Sequence, residues 1–175
     1  ALTLPQVIAL GSANIAAMSP DQVGALAAKQ IQILSTAQIA AMGTDQLRTL
    51  GTAHIAAMST AQMAALTTEQ VASLTTTQVA AIEAIDLRAM STTQVAAFTS
   101  DQIPALTTLQ AASLLVTQVA ALTTDQLISL QNPDLAAMSA AQIAAITVDK
   151  ITALESQQIA ALTSVQVAGM TTAQI

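Results

Sequence analysis

The chain has 175 residues, 53% of them hydrophobic and 8% charged, with Phe98 as its one aromatic side chain; a core of ordinary domain size is available, built from Ala, Leu, Ile, Val and Met. Four Lys or Arg against ten Asp or Glu give a net charge of -6, which leaves no basic patch for phosphates and argues against nucleic acid and anionic membranes as partners. No cysteine is present, so disulfide and thiolate chemistry are excluded, and Thr, Ser and Gln break every apolar run well before the roughly 18 residues of a membrane span.

From Thr3 onward the sequence reads in steps of eight: TLPQVIAL, GSANIAAM, SPDQVGAL, AAKQIQIL, STAQIAAM, GTDQLRTL and so on to TSVQVAGM, which ends at Met170. The 21 octads over residues 3–170 contain no insertion or deletion. Ala1-Leu2 reads as the end of a preceding octad and residues 171–175 as the start of another, so residues 1–175 are expected to form one continuous array cut from a longer one.

Position 8 of the octad is always Leu, Met, Ile or Phe, and position 5 is always apolar, with Ala111 the smallest. These two positions are the candidate core. Position 7 is small everywhere except at Ile33, which suggests close approach of another backbone. Position 4 is Gln in 16 of 21 octads and is never apolar; the exceptions are Asn14, His54, Asp86, Asp134 and Lys150.

A strand would send positions 5 and 8 to opposite faces, since side chains alternate with period 2. One continuous helix would rotate the apolar pair by about 80° per octad and leave no stable seam. One short helix per octad fits the local chemistry. Ser/Thr-x-x-Gln, as in SPDQ, STAQ, TTEQ, TTTQ and STTQ, is a capping box: the hydroxyl accepts from the amide at position 4, and the Gln reaches back to the cap's own amide. Gly11, Gly43 and Gly51 take the same boundary position.

Taken along the chain, Pro20 falls on the first helical residue, where its missing amide costs nothing. All ten acids lie at positions 1, 3 or 4, where a helix dipole favours anions, and Arg48 and Arg88 lie in the second half of their octads. Pro104, at position 6, marks a kink or a helix too short to need the lost bond.

Helices of six or seven residues are unstable alone and must lean on neighbours, as repeats do in a solenoid. The expected fold is therefore all-α: an α-solenoid, or superhelix, of short helices, one per octad. Asp21, Asp45 and Glu69 recur every 24 residues, as do Asp101, Asp125 and Asp149; Met18, Met42, Met90 and Met138 share a 24-residue lattice. That spacing points to three octads per turn. The competing architecture is a β-solenoid, supported by the Thr-Thr pairs and the β-branched residues at position 5.

Catalytic groups are hard to assemble from this inventory. His54 is the one histidine and simply replaces Gln in GTAHIAAM; with no cysteine or second histidine, it reads as a tolerated polar residue, and neither a nucleophilic dyad nor a zinc set can be built. The acids lack the D-x-D-x-D spacing of a calcium loop, and no Gly-rich phosphate motif occurs. The seven Met, at positions 5 or 8, read as core filler. The position 4 glutamines are accounted for by capping. No catalytic, cofactor-binding or metal residue is assigned, and the chain is expected not to be an enzyme; nothing points to a small-molecule ligand or a cofactor.

TTEQVASL, TTTQVAAI, STTQVAAF and TTDQLISL resemble the octapeptide tracts, of the form T-T-x-Q-[IV]-x-A-L, of very large bacterial surface or secreted repeat proteins. The resemblance covers essentially the whole chain and implies an extended structural or adhesin-like segment in an extracellular setting; it carries over no functional residue. The expected function is structural: a spacer, stalk or filament subunit whose open octad ends stack head to tail on other copies of itself. The alternative is a binding surface, in which rows of Thr on a rigid, sparsely charged solenoid meet a flat partner such as ice, or a polymer.

Overall fold

A computed structural model describes residues 2–175. Two compact units are present, Ala1–Met90 and Ser91–Ile175, and the boundary between them coincides with an octad boundary. Among the described residues all regular structure is helical and no strand occurs, so the β-solenoid is overturned and each unit is an α-solenoid.

Each helix begins at position 2 of its octad and ends at position 5, 6 or 7, as in Ser12–Ala17, Thr36–Ala40 and Val148–Ile151. Position 1 is the N-cap, in extended geometry: Ser35 has φ -69° and ψ 160°. Position 8 is extended as well, as at Met58 with φ -63° and ψ 145°. Two extended residues thus turn the chain between helices, and no described residue has a positive φ. Gly43 and Gly51 sit at ordinary negative φ, so the boundary glycines are not required by backbone conformation.

The capping boxes form as the sequence predicts wherever position 1 has a hydroxyl and position 4 is Gln, with the exception of the first octad. In the helix Thr76–Ala80, the Gln78 amide donates to Thr75 Oγ1 at 3.2 Å and the Thr75 amide donates to Gln78 Oε1 at 2.8 Å. At Thr3 the hydroxyl instead donates to Gln6 Oε1 at 3.0 Å. Where position 1 is Ala27, Gly43 or Leu115 there is no hydroxyl, and the glutamine half of the box stands alone. Thr75→Ala is expected to lower stability by about 1 kcal/mol, read as a shift in the urea midpoint; Gly43→Ala, which loses no cap bond, should move it much less.

Proline explains the one departure from the α-helical octad. Pro20 opens its helix at the first position. Pro104 has no amide to offer at position 6, and its octad forms a 3-10 turn, Ile103–Ala105, whose tighter hydrogen bonding is tolerated over so few residues.

Positions 5 and 8 make the core. Ile31, Leu47, Met63 and Leu87 in the first unit, and Ile103, Leu127 and Ile143 in the second, are fully enclosed, and each such side chain contributes about 1.5–3 kcal/mol by leaving water. Within each unit the extensive helix–helix contacts join octads three apart. Ala28–Gln32 packs on Thr52–Ala57, and Thr60–Ala64 on Ala84–Ala89; in the second unit Thr108–Ser113 packs on Asn132–Ala137. Three octads therefore make one turn, the spacing anticipated by the acids and methionines.

Candidate functional site

The feature that recurs in every turn is the glutamine at position 4, and it is buried: Gln62, Gln70 and Gln78 are each 2% exposed. Capping accounts for half of this side chain. Its Oε1 accepts from the amide of its own N-cap, while its Nε2 crosses to the preceding turn. Gln78 Nε2 donates to the carbonyls of Leu47 at 2.8 Å and Leu50 at 2.7 Å. Gln62 does the same to Ile31 and Leu34, Gln70 to Ile39 and Met42, and in the second unit Gln166 to Leu135 and Met138.

The acceptors are the carbonyls of positions 5 and 8, 31 and 28 residues earlier. These lie at the C-terminal ends of helices, where the last carbonyls have no partner within the helix. An octad has no room for the left-handed glycine cap that ends many helices. The primary amide, with one acceptor oxygen and two donor hydrogens, supplies both needs. One glutamine thus caps the start of its own helix and the end of another in the turn before.

The exceptions at position 4 show what the slot requires. His54 Nδ1 accepts from the Gly51 amide at 2.9 Å, and Nε2 lies 2.7 Å from the Leu26 carbonyl; the tautomer with the proton on Nε2 satisfies both and reproduces the glutamine pattern. Lys150 keeps the donor half, its Nζ donating to the Ala120 carbonyl at 2.8 Å. Asp86 and Asp134 have no such donor and instead accept from Thr60 and Thr108. Asn14 lies in the first turn and is exposed.

The other acids behave as the dipole argument predicts. Asp21, Asp45, Glu69, Asp125 and Asp149 sit in the first turns of their helices and are exposed. Among the described residues no three His, Cys, Asp or Glu side chains cluster in a way that could hold a metal ion, and no helix is long and apolar enough to cross a membrane.

Two cavities open at the terminal turns. One of about 620 Å³, in the first unit, is lined by Leu2, Leu10, Met18, Gln22, Leu26 and Gln30; one of about 390 Å³, in the second unit, is lined by Ile151, Leu154, Ile159, Leu162, Val167 and Met170. Both are core positions without a neighbouring turn. Gln6 and Gln22 are exposed there, and their Oε1 atoms accept from the amides of Thr3 and Ser19.

This arrangement, short capped helices wound three to a turn and tied by glutamine, is that of a helical repeat protein. The chain belongs to the ALTTAQ repeat family, which matches residues 39–76, 79–116 and 128–164 in tandem. No curated protein matches it.

Proposed function

We propose that the chain is a structural, non-enzymatic repeat segment, a spacer, stalk or filament subunit that extends by adding turns and stacks end to end with further copies. The observation that carries this reading is the glutamine ladder. Every inner turn offers amide donors to the turn before it and carbonyl acceptors to the turn after it, so the two faces of a turn are complementary. The first turn's glutamines, Gln6 and Gln22, find no carbonyl earlier in the chain. At the other end, the carbonyls of Leu154, Leu162 and Met170 lie beyond the reach of any later glutamine, since the last one is Gln174. Another turn, from the same polypeptide or from a second copy, would meet both the polar pattern and the exposed Ile159 and Val167. The resemblance to bacterial surface proteins supports an extracellular setting.

The test is negative-stain electron microscopy with sedimentation across a concentration series. Filaments that lengthen with concentration are the expected result. Separate particles of constant mass at all concentrations would reject end-to-end assembly and leave the spacer role. The exposed row Thr36, Thr44, Thr52, Thr60, Thr68 and Thr76 gives the binding-surface alternative its basis; thermal hysteresis in cooled solutions of the chain would favour it over the structural reading.

A further inference from the structure

Asp134 occupies a slot that calls for a donor, and it is 3% exposed. Its Oδ1 accepts from the Thr108 hydroxyl at 2.9 Å. Its Oδ2 is buried and has no hydrogen-bond partner. In the same register a glutamine would donate to the carbonyls of Ile103 and Leu106, which lie 31 and 28 residues back. An ionised carboxylate can only accept, so in this slot it places an uncompensated negative charge where the rest of the ladder has an N–H. Aspartate is also one methylene shorter than glutamine, which leaves the space next to Oδ2 to a proton or to one water.

The surroundings offer no counter-charge. Asp134 lies in the helix Asn132–Ala137, which packs on Thr108–Ser113 and on Ser156–Ala161. Neither partner helix contains a titratable side chain. The nearest titratable groups on adjoining segments are Glu155, which caps the second of them, together with Asp125 and Asp101. All three are acids. Burial alone therefore pushes the Asp134 carboxyl above its ordinary value of 3.8, while the Thr108 hydroxyl and the Gln131 backbone pull in the other direction.

We propose that Asp134 works as a neutral carboxylic acid, its Oδ2–H taking the donor role that a glutamine amide fills in other turns, so that the joint between Thr108–Ser113 and Asn132–Ala137 is strengthened by acid. The unfolded chain holds this proton less tightly than the folded chain does. Stability from the group is therefore fully present below pH 3.8 and is lost as pH rises through the higher folded value. Asp86 repeats the geometry in the first unit, accepting from Thr60 at 2.8 Å, but no buried oxygen is left unpartnered there, and the proposal is confined to Asp134.

The test compares the full chain with Asp134→Gln and Asp134→Asn by thermal melting between pH 7.5 and pH 4, with the carboxyl carbons of the native chain followed by NMR over the same range. Either variant supplies a permanent donor. Asp134→Gln is expected to melt about 2–4 °C higher than the native chain at pH 7, with the gap closing on acidification, because the nine other acids titrate alike in both proteins. Asp134→Asn should show the same closing gap even if the longer glutamine packs poorly. The Asp134 carbon should titrate above those of Asp21 and Asp45, and Thr108→Ala, which removes a donor to the charged form, should move that titration further up. A titration at the ordinary aspartate value would overturn the proposal. So would a gap independent of pH, or one that closes only when sodium or potassium is added, which would identify a carboxylate holding a cation.

Discussion

Replacing Gln78 by glutamate is expected to destabilise the first unit more than any other single change of similar size. Gln78 Oε1 accepts from the Thr75 amide, and its Nε2 donates to two carbonyls at 2.7 and 2.8 Å in the previous turn. Glutamate keeps the acceptor but turns the donor into a second anionic oxygen facing the Leu47 and Leu50 carbonyls, in a site that is 2% exposed. A buried charge left without a partner costs about 3–5 kcal/mol. Gln78→Ala, which removes all three bonds but buries no charge, is expected to cost less, about 2–4 kcal/mol, because each buried amide or carbonyl left unsatisfied costs about 1–3 kcal/mol. The control is Gln22→Glu: that amide is exposed in the first turn, and a surface change of this kind should cost less than about 0.5 kcal/mol. Urea unfolding followed by circular dichroism measures all three. If Gln78→Glu and Gln22→Glu shift the midpoint equally, the interturn amide contributes nothing to stability.

The second large effect concerns register. A single alanine inserted between Leu122 and Thr123 should disrupt the second unit, while a whole octad inserted at the same junction should be tolerated. The single residue breaks the spacing of every interturn bond that spans the junction: Gln126 to Val95 and Phe98, Gln142 to Leu114, Lys150 to Ala120, and Thr108 to Asp134. Because Leu122 is 1% exposed, the junction cannot bulge into solvent without uncovering the core. An extra octad restores each bond with an equivalent residue, since position 4 always returns a polar group and positions 5 and 8 always return the carbonyls. The expected readout is a large loss of helical signal and a broad melt for the one-residue insertion, against a sharp melt near the native midpoint for the eight-residue one. Similar melts for the two proteins would mean that the turns are held by apolar contact alone.

The parts of this architecture visible in the sequence are those whose partners lie within one octad. The cap of Thr75 and Gln78, the placement of Asp21 and Glu69 at helix starts, and the proline at position 20 all follow from interactions over three or four residues, and the octad pattern displays them directly. The pairing of positions 5 and 8 follows from burial. The second half of the glutamine amide was not legible, because its partners stand 28 and 31 residues away and are backbone carbonyls, which carry no side-chain signature. Capping already explained the residue, so nothing prompted a search for another role. His54 shows the same limit: read alone it is a tolerated polar exchange, and its meaning appears only once the Leu26 carbonyl is found at 2.7 Å. Asp134 could have been suspected from its place among the five exceptions, but its burial depends on Thr108 and the turn that contains it.

The helix junctions carry a consequence for how such arrays change over time. Each is made from two residues in extended conformation, and no described residue has a positive φ. Any ordinary amino acid can adopt those angles, so no junction depends on a glycine being retained, and Ala27, Leu115 and Glu155 serve at position 1 beside Ser and Thr. A gene encoding this protein can therefore gain or lose whole repeats by unequal recombination, and accumulate substitutions at the seams, without producing a chain that cannot turn. Length becomes a heritable variable that selection can adjust separately from fold.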